Sequence, residues 1–200
     1  MTSPYADKIP QMYNTEVVAL AKNRFTDAET QLAIANWGYK LGQSYLAANE
    51  NITDEAAKVL WGHRGYVLKS ELLRRGRIKL KKQEYTEVYR KYFKNNRRSL
   101  WRMMSAFLGG GYWKNHHEDN LTPSDLLEEI YNDLPAEEMR SYTLERFIAH
   151  QNCPLEVAIK ISTLPDPDGQ RYYAQSFDHL RQKALMKVAE ITKRDELASR

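Results

Sequence analysis

Two stretches of this chain repeat each other, and that internal likeness constrains the fold more than any other feature. Residues 45–61 read Tyr-Leu-Ala-Ala-Asn-Glu-Asn-Ile-Thr-Asp-Glu-Ala-Ala-Lys-Val-Leu-Trp, and residues 147–162 read Phe-Ile-Ala-His-Gln-Asn-Cys-Pro-Leu-Glu-Val-Ala-Ile-Lys-Ile-Ser. With one residue of slippage in the turn, Asn51 falls on Asn152, Ile52 on Cys153, Glu55 on Glu156 and Ala57 on Ala158. A weaker third copy runs from Asn120-Leu121-Thr122-Pro123 into Leu126, Leu127 and Ile130. In each copy one helix is expected to end near a small residue, Ala47 or Ala149, and an Asn-containing turn follows. One apolar plug comes next (Ile52, Leu121 or Cys153), and then a second, amphipathic helix. Thr53 and Thr122 suit the role of accepting from the free N–H groups that open that helix. Pro123, just inside the start, and Pro154 lose no useful donor there. A single hairpin of this size cannot bury its apolar face, so neighbouring hairpins must stack.

The turn between paired helices resembles that of the leucine-rich-repeat-variant and HEAT-like α-solenoids, over about a third of the chain. The resemblance implies a curved helical scaffold that binds protein or nucleic acid on one face. Spacing between copies is irregular, so a regular array is not expected. Two hairpins that converged on similar capping chemistry would give the same signal. The other patterned segments also follow a helical period. Thr26-x-x-Glu29 has the spacing of a capping box, and Gly38 and Gly42 beyond it permit either a break or a close helix contact. Leu72-Leu73-Arg74-Arg75-Gly76 has basic residues in a last turn and a glycine to stop it. Tyr173, Phe177, Leu180, Ala184, Val188 and Ile191 mark one face of a long C-terminal helix. The expected fold is therefore all-α, a short irregular α-solenoid of stacked helical hairpins. It divides into N-terminal repeats over 1–76, basic central helices over 77–108 and C-terminal repeats over 109–200, with a possible hinge at 109–120.

Charge is spread unevenly. The net charge is only +4, yet residues 69–102 hold 13 Lys or Arg against 3 acids. Residues 103–140 hold 8 acids against 2 bases. A chain polarised in this way either meets an anionic partner or partly neutralises itself. Tyr85, Val88, Tyr89, Tyr92 and Phe93 share one helical face and are expected in the core, although aromatics mixed with cations can also stack bases. Opposite them, Lys91, Lys94, Arg98 and Arg102 form a stripe if the helix continues through Asn95 and Asn96. Arg77, Lys79, Lys81 and Lys82 in the preceding linker enlarge it. Such a surface suits phosphate contact without sequence readout, and it suits an acidic protein equally well. Asp125, Glu128, Glu129, Asp133, Glu137 and Glu138 are the internal counter-charges that would neutralise it instead.

Catalytic constellations are weak by comparison. His116-His117-Glu118-Asp119 lacks the i, i+4 histidine spacing of a helical metal site and reads as a loop. Gly109-Gly110-Gly111 lacks the flanking strand and the terminal Lys-Ser/Thr of a phosphate loop. The lone Cys153, with His150 nearby, occupies a plug position and is expected to be a buried structural thiol. His63 and His179 are isolated. No apolar run approaches the roughly 20 residues of a membrane span, and the residues from Met1 to Lys8 lack an apolar signal core. The expectation is a non-enzymatic binding protein without metal or small-molecule cofactor, not associated with membranes and cytoplasmic. Its anionic partner is nucleic acid backbone, or alternatively an acidic protein that it serves as adaptor or stoichiometric inhibitor.

Overall fold

The computed structural model describes residues 3–95, 100–109, 122–165 and 171–199, the last stretch without the side chains of 171–176. Among the described residues the chain is all-α: eleven α-helices, two 3-10 turns and no strand. The chain divides into two compact units, the first formed by residues 1–81 and 91–106 and the second by 82–90 and 107–200. The central basic segment 77–108 thus contributes to both.

In the first unit a 3-10 turn, Ala6–Gln11, packs on α2 (Ala28–Trp37). Helices α1 (Asn14–Lys22), α3 (Lys40–Ala47) and α5 (Tyr66–Arg74) pack in one row, α1 on α3 and α3 on α5. In a second row α2 packs on α4 (Asp54–Gly62). Every second helix therefore stacks on its predecessor, which lets short amphipathic helices bury the faces that a lone hairpin would leave wet. The shared core contains Val17, Ala21, Ile34, Ala35, Leu46, Ala56, Ala57, Leu60 and Leu72. The two glycines that the sequence left ambiguous divide the roles. Gly38 ends α2 at φ +85°, a conformation that other residues adopt with strain. Gly42 lets α3 approach α1, because a Cβ there would meet Val17 Cγ1 at 3.2 Å and Tyr39 Cδ1 at 3.1 Å.

Capping departs from the expected register. The Thr26/Glu29 box does not form. Asp27 is the N-cap of α2, accepting from Thr30 N at 2.9 Å, and Thr26 is buried, its hydroxyl donating to Leu20 O at 2.6 Å. Thr53 caps α4 as expected, accepting from Ala56 N at 3.3 Å. Helix α5 stops where the sequence suggests: Gly76 sits at φ +64°, and Arg77 N donates back to Leu72 O at 2.9 Å.

In the second unit α8 (Ser124–Asn132), a 3-10 turn (Ala136–Glu138), α9 (Ser141–Ala149), α10 (Leu155–Ser162) and α11 (Arg171–Ala198) follow one another. Helix α8 packs on α10 and α9 on α11, the same alternate stacking. Leu126, Leu127, Ile130, Phe147, Val157, Ala158 and Ile161 are fully or almost fully buried, and the Tyr131 and Phe147 rings meet edge to face at 5.5 Å. On α11, Phe177, Leu180, Ala184 and Ile191 are buried, the face that the sequence spacing marks. The third repeat copy shifts by one residue: Pro123 is the N-cap of α8 and Thr122 is the buried plug beside it. Asn120 and Leu121, assigned to turn and plug from the sequence, lie outside the described residues. Pro154 likewise takes the N-cap of α10.

The turns repeat in atomic detail. In the first unit Phe25 N donates to Asn23 Oδ1 at 3.0 Å, and Thr26 N donates to Asn23 O at 3.2 Å. Asn49 receives the same pair of bonds, from Asn51 N at 2.9 Å and Ile52 N at 3.3 Å. In the second unit His150 replaces the asparagine, its Nδ1 accepting from Asn152 N at 3.0 Å and its carbonyl from Cys153 N at 3.1 Å. In the later two of these turns an asparagine also reaches back to an earlier turn. Asn51 Nδ2 donates to Arg24 O at 3.0 Å, and Asn152 Nδ2 to Thr122 O at 3.1 Å.

Candidate functional site

Helix α6 (Lys82–Tyr92) and helix α7 (Leu100–Phe107) carry the basic segment. The expected continuous cationic stripe is not formed among the described residues, because α6 ends at Tyr92 and turn residues follow through Asn95. Phe93 is buried just past that end, against Tyr66 at a ring separation of 6.1 Å. Arg98 lies outside the described residues. The aromatic face is core, as its period requires: Tyr85, Tyr89 and Phe93 are buried and Val88 and Tyr92 half-buried. Tyr89 packs edge to face on Phe107 at 5.7 Å.

The cations fall into three groups. The first is neutralised within its own unit. In the second unit Lys82 pairs with Asp125 at 3.5 Å, and Arg90 forms a bidentate pair with Glu129, the closer approach being 2.8 Å. In the first unit Arg74 and Arg75 both hold Glu71. The cost of burying that carboxyl is outweighed by their hydrogen bonds, so it stays below its ordinary range. In the second group the cations serve as donors to backbone. Arg77 donates Nη2 to Glu50 O. Lys69, not among the residues singled out from the sequence, is only 4% exposed. Its ammonium donates to Trp61 O and His63 O and lies between the rings of Trp61 and Tyr92, at 4.7 and 4.9 Å. Burial, reinforced by the charge of Lys91, lowers its pKa.

The third group faces solvent in the first unit. Lys79, Lys91 and Lys94 are exposed and Arg102 is half-buried. Among the described residues, no carboxylate lies within ion-pair distance of Lys79, Lys91 or Arg102. Lys81 is exposed at the end of the same unit. By sequence the first unit holds 17 Lys or Arg against 8 Asp or Glu, and the second 13 against 18. The polarisation seen along the chain is therefore a polarisation between structural units, +9 and −5.

Other candidates resolve differently. The His116–Asp119 cluster, Gly110 and Gly111 lie outside the described residues. Among the described residues no group of three metal-ligating side chains comes together, and no helix is long and apolar enough to cross a membrane. Cys153 is buried, and burial pushes its thiol up to about 11. What the sequence reading missed are the turn-organising Asn23, Asn49 and His150, and the exposed aromatics Phe25 and Trp101, 76% and 60% exposed. The matched order of turn residue, plug and cap makes Asn49 and His150 legible once Asn51 is aligned with Asn152. No known protein family, characterised protein or solved structure shows detectable similarity to the chain.

Proposed function

We propose that this chain is a non-catalytic helical-repeat binding protein, a short irregular α-solenoid of the HEAT-like kind, whose basic surface contacts nucleic acid backbone. Alternate helix stacking within each unit and the turn-to-turn hydrogen bonds support the repeat reading. The observation that carries the partner reading is the excess of +9 in the first unit. Lys82 and Arg90 meet acids of the second unit, whereas Lys79, Lys91 and Arg102 find none among the described residues. Phosphates are recognised by such a surface through charge rather than base identity.

The test is titration of a labelled oligonucleotide at several salt concentrations with wild-type protein and with a Lys79→Gln, Lys91→Gln, Arg102→Gln variant. The variant should keep its helicity and bind more weakly. Its salt slope should fall by about one unit for each phosphate that no longer meets a cation. A wild-type protein that binds no nucleic acid but co-purifies with an acidic protein in defined stoichiometry would replace this reading with that of an adaptor or inhibitor.

A further inference from the structure

The first unit has a second feature outside the central basic segment, at the edge where its turns stack. Phe25 stands at the tip of the turn between α1 and α2 with 76% of its surface exposed. An isolated exposed phenylalanine carries no message, but this one is fixed and flanked by charge. Its backbone N–H is held by Asn23 Oδ1 at 3.0 Å, and the preceding carbonyl, Arg24 O, is held by Asn51 Nδ2 at 3.0 Å. The Arg24 guanidinium lies over the ring, 4.7 Å from its centroid. Next along the edge, Arg77 donates to Glu50 O, the residue before Asn51. Arg24, Phe25, Asn51, Glu50 and Arg77 are thus joined in series across three turns, ending at the first cation of the basic segment. Lys22, exposed at the end of α1, stands over the Tyr45 ring at 4.1 Å.

We infer that Phe25, with the Arg24 guanidinium over its ring, is a base-stacking platform, so that the nucleic acid this surface takes is single-stranded. The inference rests on the basic-surface reading above and narrows it. A duplex keeps its bases stacked on one another and offers phosphates alone. A single strand also offers π-faces, and an aromatic side chain beside cations takes them with little regard to sequence. The tyrosines of α6 cannot serve, being buried or half-buried. Phe25 can, because its ring is already held in solvent by a hydrogen-bonded turn.

The experiment measures the anisotropy of a labelled oligo-dT strand and of a duplex of equal length with wild type, Phe25→Ala, Phe25→Leu, Phe25→Tyr and the Lys79/Lys91/Arg102 glutamine variant. Wild type should prefer the single strand. Phe25→Ala and Phe25→Leu should weaken single-strand binding about tenfold, within the range for losing one stacked base. Duplex binding, the salt slope and the melting temperature should stay unchanged. Phe25→Tyr, which keeps the π-face, should bind as wild type. The glutamine variant should instead lose affinity for both probes and lower the slope. If the Phe25 variants bind the single strand like wild type while the glutamine variant does not, the platform is overturned and the basic surface stands. If wild type binds neither probe, both readings fall.

Discussion

The Tyr89 hydroxyl donates to the Asp133 carboxylate at 2.9 Å across 44 residues of sequence, joining α6 to the end of α8 within the second unit. Burial, with Asp133 beside it, holds this phenol un-ionised far above the usual range. Tyr89→Phe keeps the ring packed on Phe107 and removes only the donor. A hydrogen bond to a charged acceptor contributes about 2 kcal/mol, and urea unfolding should show a loss of that order with an unchanged m-value. A loss near zero would mean that water replaces the hydroxyl freely.

Asn49 is the most heavily used turn residue. It is 4% exposed and donates to Ala21 O at 2.9 Å and Asn23 O at 3.0 Å, while accepting from Asn51 N. Asn49→Ala should cost about 3 kcal/mol, because buried backbone groups lose their partners. Asn49→His should cost less, since an imidazole nitrogen already accepts the corresponding bond at His150. Equal losses for the two substitutions would show that the accepted bond is unimportant.

Cys153 should resist alkylation in the folded state at pH 8, because it is buried and its thiol is displaced upward to about 11. The sign of its pH effect follows from linkage. Between the ordinary thiol value and the displaced one, the folded chain keeps the proton and the unfolded chain releases it, so Cys153 costs stability as pH rises through that window. Chemical denaturation at pH 8 and pH 10.5 should show Cys153→Ala losing less stability over that interval than wild type. Modification of the folded protein at the rate of an unfolded control would contradict the buried assignment.

Lys69 has the opposite sign. Burial lowers its pKa, so between that value and 10.5 the unfolded chain holds more protons and Lys69 favours folding as pH rises. Lys69→Met keeps the stem between Trp61 and Tyr92 but leaves Trp61 O and His63 O without their donor. A fall in melting temperature at neutral pH is expected. An unchanged melting temperature would show that relief from burying a charge offsets the missing bonds.

Helical period carried most of the fold in sequence: the faces of α6 and α11 follow directly from spacing. Registers at helix starts carried over only in part: Thr53 caps α4 as the sequence suggests, but elsewhere neighbouring residues compete for one cap. Asp27 outcompetes Thr26, and Thr122 goes inward as Pro123 takes the cap. The cationic stripe requires one uninterrupted helix, and the chain leaves that helix at Tyr92. Local sequence could not tell that Lys82 and Arg90 would meet Asp125 and Glu129, since those pairs depend on tertiary packing between segments far apart in the chain. Phe25 was hidden for the opposite reason, as nothing local distinguishes a phenylalanine left in solvent from one that is buried.

The bonds around the stacked turns of the first unit also tie neighbouring hairpins to one another in both directions. Asn49 and Asn51 belong to the later turn, yet the carbonyls of Ala21, Asn23 and Arg24 that they satisfy belong to the earlier one. Opening the later hairpin leaves Ala21 O and Arg24 O without these donors and Asn23 O with Thr26 N alone. Opening the earlier one leaves the Asn49 turn closed on itself through Asn51 N and Ile52 N, but it takes away Gln31 of α2, whose side-chain amide donates to Asn51 O at 3.1 Å and accepts from Thr53 N at 2.8 Å. Each hairpin therefore holds polar groups of the other, and neither can open without exposing them. Substitutions at Gln31 and at Asn49 should both lower the melting of the first unit as a whole rather than fray one end of it.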